Sequence, residues 1–321
     1  MGHEFAVLTH EHELGARLRE IRPHLFMSQA NVLDIADAGV RAELLSARRR
    51  GTRVMLQVAW PWPPSFPKER EPVLRSEDIA DIYFGENEPE QMVTFTKETG
   101  KQYHVVPNAA NPQMHYPGTL NPRFQYDVVY LGANLRKKRW FVDKVLPEVR
   151  KRWKLGLFGP GWTIRDNALR GLSRGLRGAR LYRLAGRIDR GRIAISEEEE
   201  RQLYRSAKVC LNFHEREDDG SQPHYIVNQR TFKIAACGGF QLCDEVPAIR
   251  KYFTEDEVVM ARLDPADWID KIGYYLSHEE ERVAIQRKGA ARAAADHLST
   301  NRVRLVLELC GLLENRQLGH G

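Results

Sequence analysis

Cysteine is scarce: four residues in 321 (Cys210, Cys237, Cys243 and Cys310), scattered, with no C-x-x-C pair. That spacing indicates neither a zinc site nor a disulfide framework, and it suits a reducing compartment, so a cytoplasmic location is expected. Long apolar runs are lacking too. Nothing approaches the roughly 18–20 residues needed to span a bilayer. The opening segment, Met1 to Glu13, carries His and Glu where a secretory leader has a basic start and an apolar middle. No D-x-D with a single intervening residue occurs. Internal repeats and low-complexity tracts are missing as well.

What the chain does have is an uneven positive charge. Lys plus Arg number 49 against 43 Asp plus Glu, a net +6, yet between Arg165 and Arg192 the only acids are Asp166 and Asp189. Such a stretch favours an anionic partner: nucleotide phosphates, nucleic acid or a membrane surface. Arg170, Arg174 and Arg177 fall at i, i+4, i+7 on one helical face, Leu169, Leu172 and Leu176 form a second stripe, and Gly171, Gly175 and Gly178 weaken any helix. Two readings stay open: a flexible, solvated connection, or a grip on an anionic acceptor such as DNA or a lipid phosphate.

Short β-rich runs alternate with helical spacing. Phe5–Leu8, His24–Ala30, Arg53–Trp60, Ile79–Phe84 and Tyr103–Val106 read as strands, with helices near Leu14–Ile21, Asp34–Arg50 and Glu88–Thr99. The segment Pro107 to Pro122, with four prolines, reads as a linker. Strands then recur at Tyr126–Leu131, Lys154–Phe158, Lys208–Phe213 and Phe240–Cys243. Helices are expected over Arg139–Lys151, Glu197–Ser206 (capped by Ser196 with Glu199), Val227–Ala236, Ala266–Leu276, Glu279–His297 and Asn301–Leu313. This alternation implies an α/β fold with parallel sheets.

From about Asp81 to Leu313 several motifs run in order. Pro107-Asn108-Ala109 comes first. Val129 to Gly132 follow, with Arg139 behind them, then Gly159-Pro160-Gly161-Trp162. Leu203 through His214, Asn228 through Leu242, and Ile272 to Arg302 complete the series. In this order the chain resembles the spore-maturation CgeB-like glycosyltransferases, a group related to the GT-B family-1/family-4 enzymes. The resemblance implies a GT-B fold, two Rossmann-like domains facing across a cleft with the first reduced. Residues 1–115 would form the acceptor-side domain and 116–300 the nucleotide-sugar domain, with a C-terminal helix over 301–321 packing back toward the first. It also implies a hexosyl- or pentosyltransferase that takes a nucleotide-sugar donor as substrate, with no cofactor and no metal. One departure stands out. Lys233 occupies the position where the family carries the Glu that grips the donor ribose, and Tyr225 sits where related enzymes have the first Glu of an E-x7-E pair.

A departing diphosphate needs positive charge and backbone N–H groups that can approach it closely. The donor-side candidates are Gly132, Asn134, Arg139, Gly159, Gly161, Trp162, Asn212, His214, Asn228, Arg230, Lys233 and Gly238. Arg230 and Lys233 share a helix face, and Asn212 and His214 end a strand, the edge where open α/β sheets bind ligands. For a general base the candidates are His10, His12 and Glu13; the His-x-His pair has no third ligand spaced to hold a metal. Trp60, Trp62 and Phe66 could stack on a sugar or a base or else form a buried hinge; Trp60 and Trp62 with Arg170, Arg174 and Arg177 make the acceptor-side set. The charge allows a hydroxymethylated base in DNA as acceptor, and a glycan, a small molecule or a protein is equally open. The alternatives are a non-catalytic nucleic-acid-binding protein on the same scaffold and a sugar-nucleotide epimerase or hydrolase. The oligomeric state is not legible.

Overall fold

The computed structural model describes residues 4–8, 13–63, 66–191, 195–216 and 226–313. The chain divides into two compact units, Met1–Pro107 with Arg302–Gly321, and Asn108–Asn301.

In the first unit, strands Leu25–Gln29 (β1), Arg53–Gln57 (β2), Ile82–Gly85 (β3) and Tyr103–Val105 (β4) form a parallel sheet in the order β1-β2-β3-β4. Helix Leu14–Ile21 (α1) precedes the sheet, and Ala38–Arg49 (α2), Glu71–Ser76 (α3) and Val93–Thr99 (α4) connect successive strands. Asp37 caps α2 by accepting the Val40 N–H at 2.9 Å. The pleat of β2 divides its residues between two faces. Val54 and Leu56 pack with Leu44, Ala47, Leu74 and Phe95, whereas Met55 packs with Ile82, Phe84, Val306 and Cys310. That second face explains why the chain's end belongs here: each large apolar side chain it covers stabilises by roughly 1.5–3 kcal/mol.

The second unit has a five-stranded parallel sheet of Val128–Leu131 (β5), Leu155–Phe158 (β6), Val209–Asn212 (β7), Gln241–Asp244 (β8) and Val259–Ala261 (β9), in the order β6-β5-β7-β8-β9. Its helices are Leu146–Arg152 (α5), Ile164–Gly178 (α6), Tyr182–Gly191 (α7), Glu197–Ser206 (α8), Gln229–Ala236 (α9), Pro265–Ser277 (α10) and Glu279–Asp296 (α11). The C-terminal helix, Ser299–Leu309, starts in this unit and continues into the first. Strand order reverses at β5, so connections leave on opposite faces of β5 and β7 and open a crevice beyond their carboxyl ends. The expected capping box is present: Ser196 accepts the Glu199 N–H, and Glu199 accepts the Ser196 N–H.

Several expectations are corrected. Phe5–Leu8 is not a strand; neither sheet edge takes it as a neighbour, and Phe5 and Val7 lie 87% and 80% exposed. The helix expected over Arg139–Lys151 opens as a wide π turn, Phe141–Val145, before α5, because Pro147 has no N–H for the regular ladder. Segment 107–122 is no free linker. The Asn108 amide donates to the Val227 carbonyl, Ala110 exchanges backbone bonds with His297 and Ser299, and Ala110 is fully buried. The division falls after Pro107 rather than near 115 because of these bonds, which tie 108–122 to the second unit. The arginine segment is a helical hairpin, α6 and α7, not a flexible connection. Thr163 caps α6 by accepting the Asp166 N–H, and the two helices pack on each other over buried Ser173 and Ala185. Helix α3 and strand β9 were not expected from the sequence.

The hairpin's glycines have room around them. A Cβ at Gly171 or Gly175 would meet nothing within 4 Å. Gly175→Ala is therefore expected to stabilise the second unit by about 0.5–1 kcal/mol, read as a higher urea midpoint at unchanged slope.

Candidate active site

At the carboxyl edge of the second sheet lies a cavity of about 870 Å³. Leu131 and Gly132 reach it from β5, Gly159 and Pro160 from β6, and His214 and Glu215 from just past β7. Glu200 and Tyr204 enter from α8, Asn228, Arg230 and Lys233 from the first turns of α9, and Asp189 from α7.

The glycines set how near anything can come to the backbone. Gly159 has φ +109°, and a Cβ there would stand 2.8 Å from the Gly132 carbonyl oxygen. Both the conformation and the contact demand glycine. Gly159→Ala is expected to cost at least about 2 kcal/mol, because backbone on both sides must shift. A urea midpoint equal to that of the unsubstituted protein would show the turn to be pliable. At Gly132 a Cβ would meet Arg230 Nη2 and Tyr130 Oη, each at 2.7 Å.

Arg230 is held in place. Its guanidinium donates to Asn212 Oδ1 at 3.1 Å and lies 5.3 Å over the Tyr130 ring. Asn212 and Asn228 exchange side-chain bonds of 2.9 and 3.1 Å, and Asn228 caps α9 by accepting the Thr231 N–H. These amides hold one rotamer of Arg230, and Asn228 itself lines the cavity. Opposite stands Lys138, 5% exposed, with no ion pair or side-chain hydrogen bond among the described residues. Burial, and secondarily the charge of Arg230, pull its ammonium down to about 8. Lys233 completes the cationic lining, 3.5 Å from Glu200.

His214 is oriented from beneath. Its Nδ1 lies 2.7 Å from Asp244 Oδ1, and its backbone N–H donates to the same oxygen at 2.9 Å. Its Nε2 lies 3.4 Å from Thr231 Oγ1, and the residue borders the cavity. Burial alone would push the Asp244 carboxyl up; the His214 imidazole and N–H, together with Arg216 at 3.4 Å, outweigh it and hold the acid below its ordinary range. With Nδ1–H bound to a carboxylate, Nε2 is left able to accept or return a proton.

Other candidates fall elsewhere. Arg139 lines a second cavity of about 510 Å³ with Asn134, Arg136, Gly161, Asn167 and Arg170, and it pairs with Asp143 at 2.9 Å. Consequently Arg139 does not converge with Arg230 and Lys233. Trp162 donates its indole N–H to the Gly132 carbonyl at 2.7 Å and packs edge-on against Tyr130, which braces the cavity floor. Gly238 ends α9 at φ +71°, beside Pro117 and Arg205, away from the cavity. Trp60 and Trp62 are 4% and 8% exposed in the first unit's core, where a sugar or base cannot stack. Arg75 covers the Trp60 ring, and Trp62 donates to the Pro67 carbonyl. Arg174 and Arg177 lie on the exposed hairpin, with Arg177 paired to Asp189. Glu13 precedes α1 and lines neither cavity. His10, His12 and Tyr225 lie outside the described residues. Among the described residues no group of three His, Cys, Asp or Glu side chains is placed to hold a metal ion, and no helix is long and apolar enough to cross a membrane.

Lys138, Glu200, Glu215 and Asp244 were missed in the sequence. Asp244 carried a signal, an acid at the end of a fully buried strand. Lys138 was hidden in a run of four basic residues, Arg136 to Arg139.

A family model described as "Glycosyl transferase-like" matches residues 136–308. No curated protein matches the sequence. Among solved structures, sucrose-phosphate synthase from Thermosynechococcus elongatus is similar at TM-score 0.59 and 15% identity, covering 92% of this chain and 75% of that one. A glycosyltransferase from Rickettsia africae gives 0.59 and 11%, covering 95% and 81%. Anabaena HepE in complex with UDP and glucose gives 0.58 and 9%, covering 94% and 81%. At these identities the likeness shows the fold alone, and it agrees with the GT-B expectation: two parallel α/β sheets of that type. With more than half of its length matched by the family model, the chain belongs to the glycosyl transferase-like family.

Proposed function

We propose that the chain transfers a sugar from a nucleoside diphosphate sugar held in the larger cavity, as a CgeB-like member of its family. The carrying observation is the convergence of Lys138, Arg230 and Lys233 on one crevice at the strand ends, beside the Gly132 and Gly159 backbones. Three cations there meet the charge that grows on a leaving diphosphate. Structural similarity to HepE, solved with UDP and glucose, supports the same donor class. In this reading Glu200, beside Lys233, supplies the carboxylate for ribose hydroxyls, a task the sequence pattern assigned to position 233. His214, steered by Asp244, moves the proton. Metal independence belongs to the same proposal, since lysine and arginine do the neutralising. With Trp60 and Trp62 buried, a DNA acceptor would rest on charge alone.

The test is a thermal-shift panel of UDP-, GDP-, ADP- and TDP-sugars. One nucleotide should raise the melting temperature by several degrees, since ligand at 100 times Kd stabilises by about 2.7 kcal/mol. Arg230→Gln should weaken that response at least about tenfold, the usual effect of losing one charge-assisted contact. No shift with any nucleotide sinks the proposal. Product analysis with and without acceptor then separates transfer from epimerisation or hydrolysis.

A further inference from the structure

The α6–α7 hairpin is built on β6, an edge strand, and its composition goes beyond what a solvated connection needs. Five of its large apolar side chains are out in water: Ile164 is 89% exposed, Leu172 53%, Leu181 48%, Tyr182 62% and Leu184 46%. Interspersed are Arg165, Arg170, Arg174, Arg177, Arg180, Arg183 and Arg187, all exposed. Only Arg177 makes an ion pair among the described residues, with Asp189. The other acid, Asp166, is turned inward and accepts the Gly161 N–H at 2.5 Å. At the root of α6, Arg136, Arg139 and Arg170 surround the smaller cavity, a recess of about 510 Å³ able to take a phosphate.

We propose that this hairpin seats the protein on an anionic lipid surface. Arginines alone fit any polyanion, since phosphate contacts carry affinity without selecting what bears the phosphate. The exposed isoleucine, leucines and tyrosine decide between partners. A nucleic acid duplex leaves them in water. A bilayer interface accepts both components, guanidinium groups at the headgroup phosphates and apolar side chains at the acyl boundary. The inference is independent of sugar transfer: it stands or falls on the hairpin and not on the larger cavity.

Two variants of exposed residues separate the components, Arg174→Glu with Arg183→Glu, and Leu172→Ser with Tyr182→Ser and Leu184→Ser. Circular dichroism melting verifies their folding. The protein should sediment with vesicles of phosphatidylcholine mixed with phosphatidylglycerol and not with phosphatidylcholine alone. Each variant should lose roughly tenfold or more in partitioning. All four native cysteines are buried, so Leu172→Cys can carry an environment-sensitive fluorophore, whose emission should shift to the blue with mixed vesicles. The inference is overturned if the unsubstituted protein ignores anionic vesicles, or if the serine variant partitions as well as it does. Preferential binding to duplex DNA, unaffected by the serine changes, overturns it as well.

Discussion

Replacing Lys138 with methionine is expected to raise the melting temperature of the free protein while abolishing its response to nucleoside diphosphates. The ammonium is 5% exposed and lacks a partner among the described residues, so holding it charged costs free energy. Its drop from 10.5 to about 8 corresponds to about 3 kcal/mol. The sign follows from proton counting. Between about 8 and 10.5 the unfolded chain holds a proton on Lys138 that the folded chain has released, so stability rises across that window as this penalty is relieved. Below about 8 the penalty is fully present. Lys138→Met removes it, giving several degrees in melting temperature at neutral pH and a flatter stability profile from pH 8 to 10 (~2 pH units). Diphosphate affinity should fall by about 100-fold or more with the loss of a buried charge-assisted contact. In the unsubstituted protein, affinity should weaken as pH rises past about 8, where the free enzyme's ammonium discharges. A variant that loses stability yet keeps nucleotide binding would place Lys138 among structural residues.

Asp244→Ala is expected to destabilise the second unit by about 3–5 kcal/mol, the cost of stranding a buried cation. Three donors lose their acceptor at once: His214 Nδ1, the His214 N–H, and the Arg216 guanidinium, 5% exposed and lying 5.3 Å from the Phe213 ring centre. Asp244→Asn keeps the shape and should cost less, since its amide oxygen can still accept from the His214 N–H and Nδ1–H, but it removes the negative charge that steadies a protonated imidazole. The proton-accepting role proposed for His214 is then weakened, so turnover should fall while the fold survives. The acid limb offers a second check. The folded carboxyl lies below its ordinary 3.8, so its contribution is present above that value and is lost as pH falls through the folded pKa. The alanine variant should show a shallower loss of stability in acid than the unsubstituted protein. Equal acid profiles would mean that Asp244 is not the group the native state holds ionised.

Much of the site was readable before any coordinates. The run Val128–Leu131 followed by glycine marked a strand and a turn, and Arg230 with Lys233 marked one helix face, although the sequence began that helix at Val227 and the structure makes Asn228 its cap. Arg139 and Lys138 show the limit. Adjacent on the chain and alike in charge, they face different cavities because successive residues of a helical turn point roughly 100–120° apart. The tryptophans show the same limit. A proline-rich loop bearing Trp60 and Trp62 reads equally as a stacking platform or a buried hinge, and only the first unit's core, which takes both rings, decides for burial.

By itself the sequence determined the alternation of strands and helices, the capping box that begins α8, and the class of fold, because these depend on neighbours a few residues apart. Tertiary structure decided which charges meet. Lys233 with Glu200, His214 with Asp244, and Arg230 with Asn212 are paired across 33, 30 and 18 positions. No local pattern encodes such encounters, since strand order and the packing of helices on the sheet bring these side chains together and fix the dielectric in which their charges act.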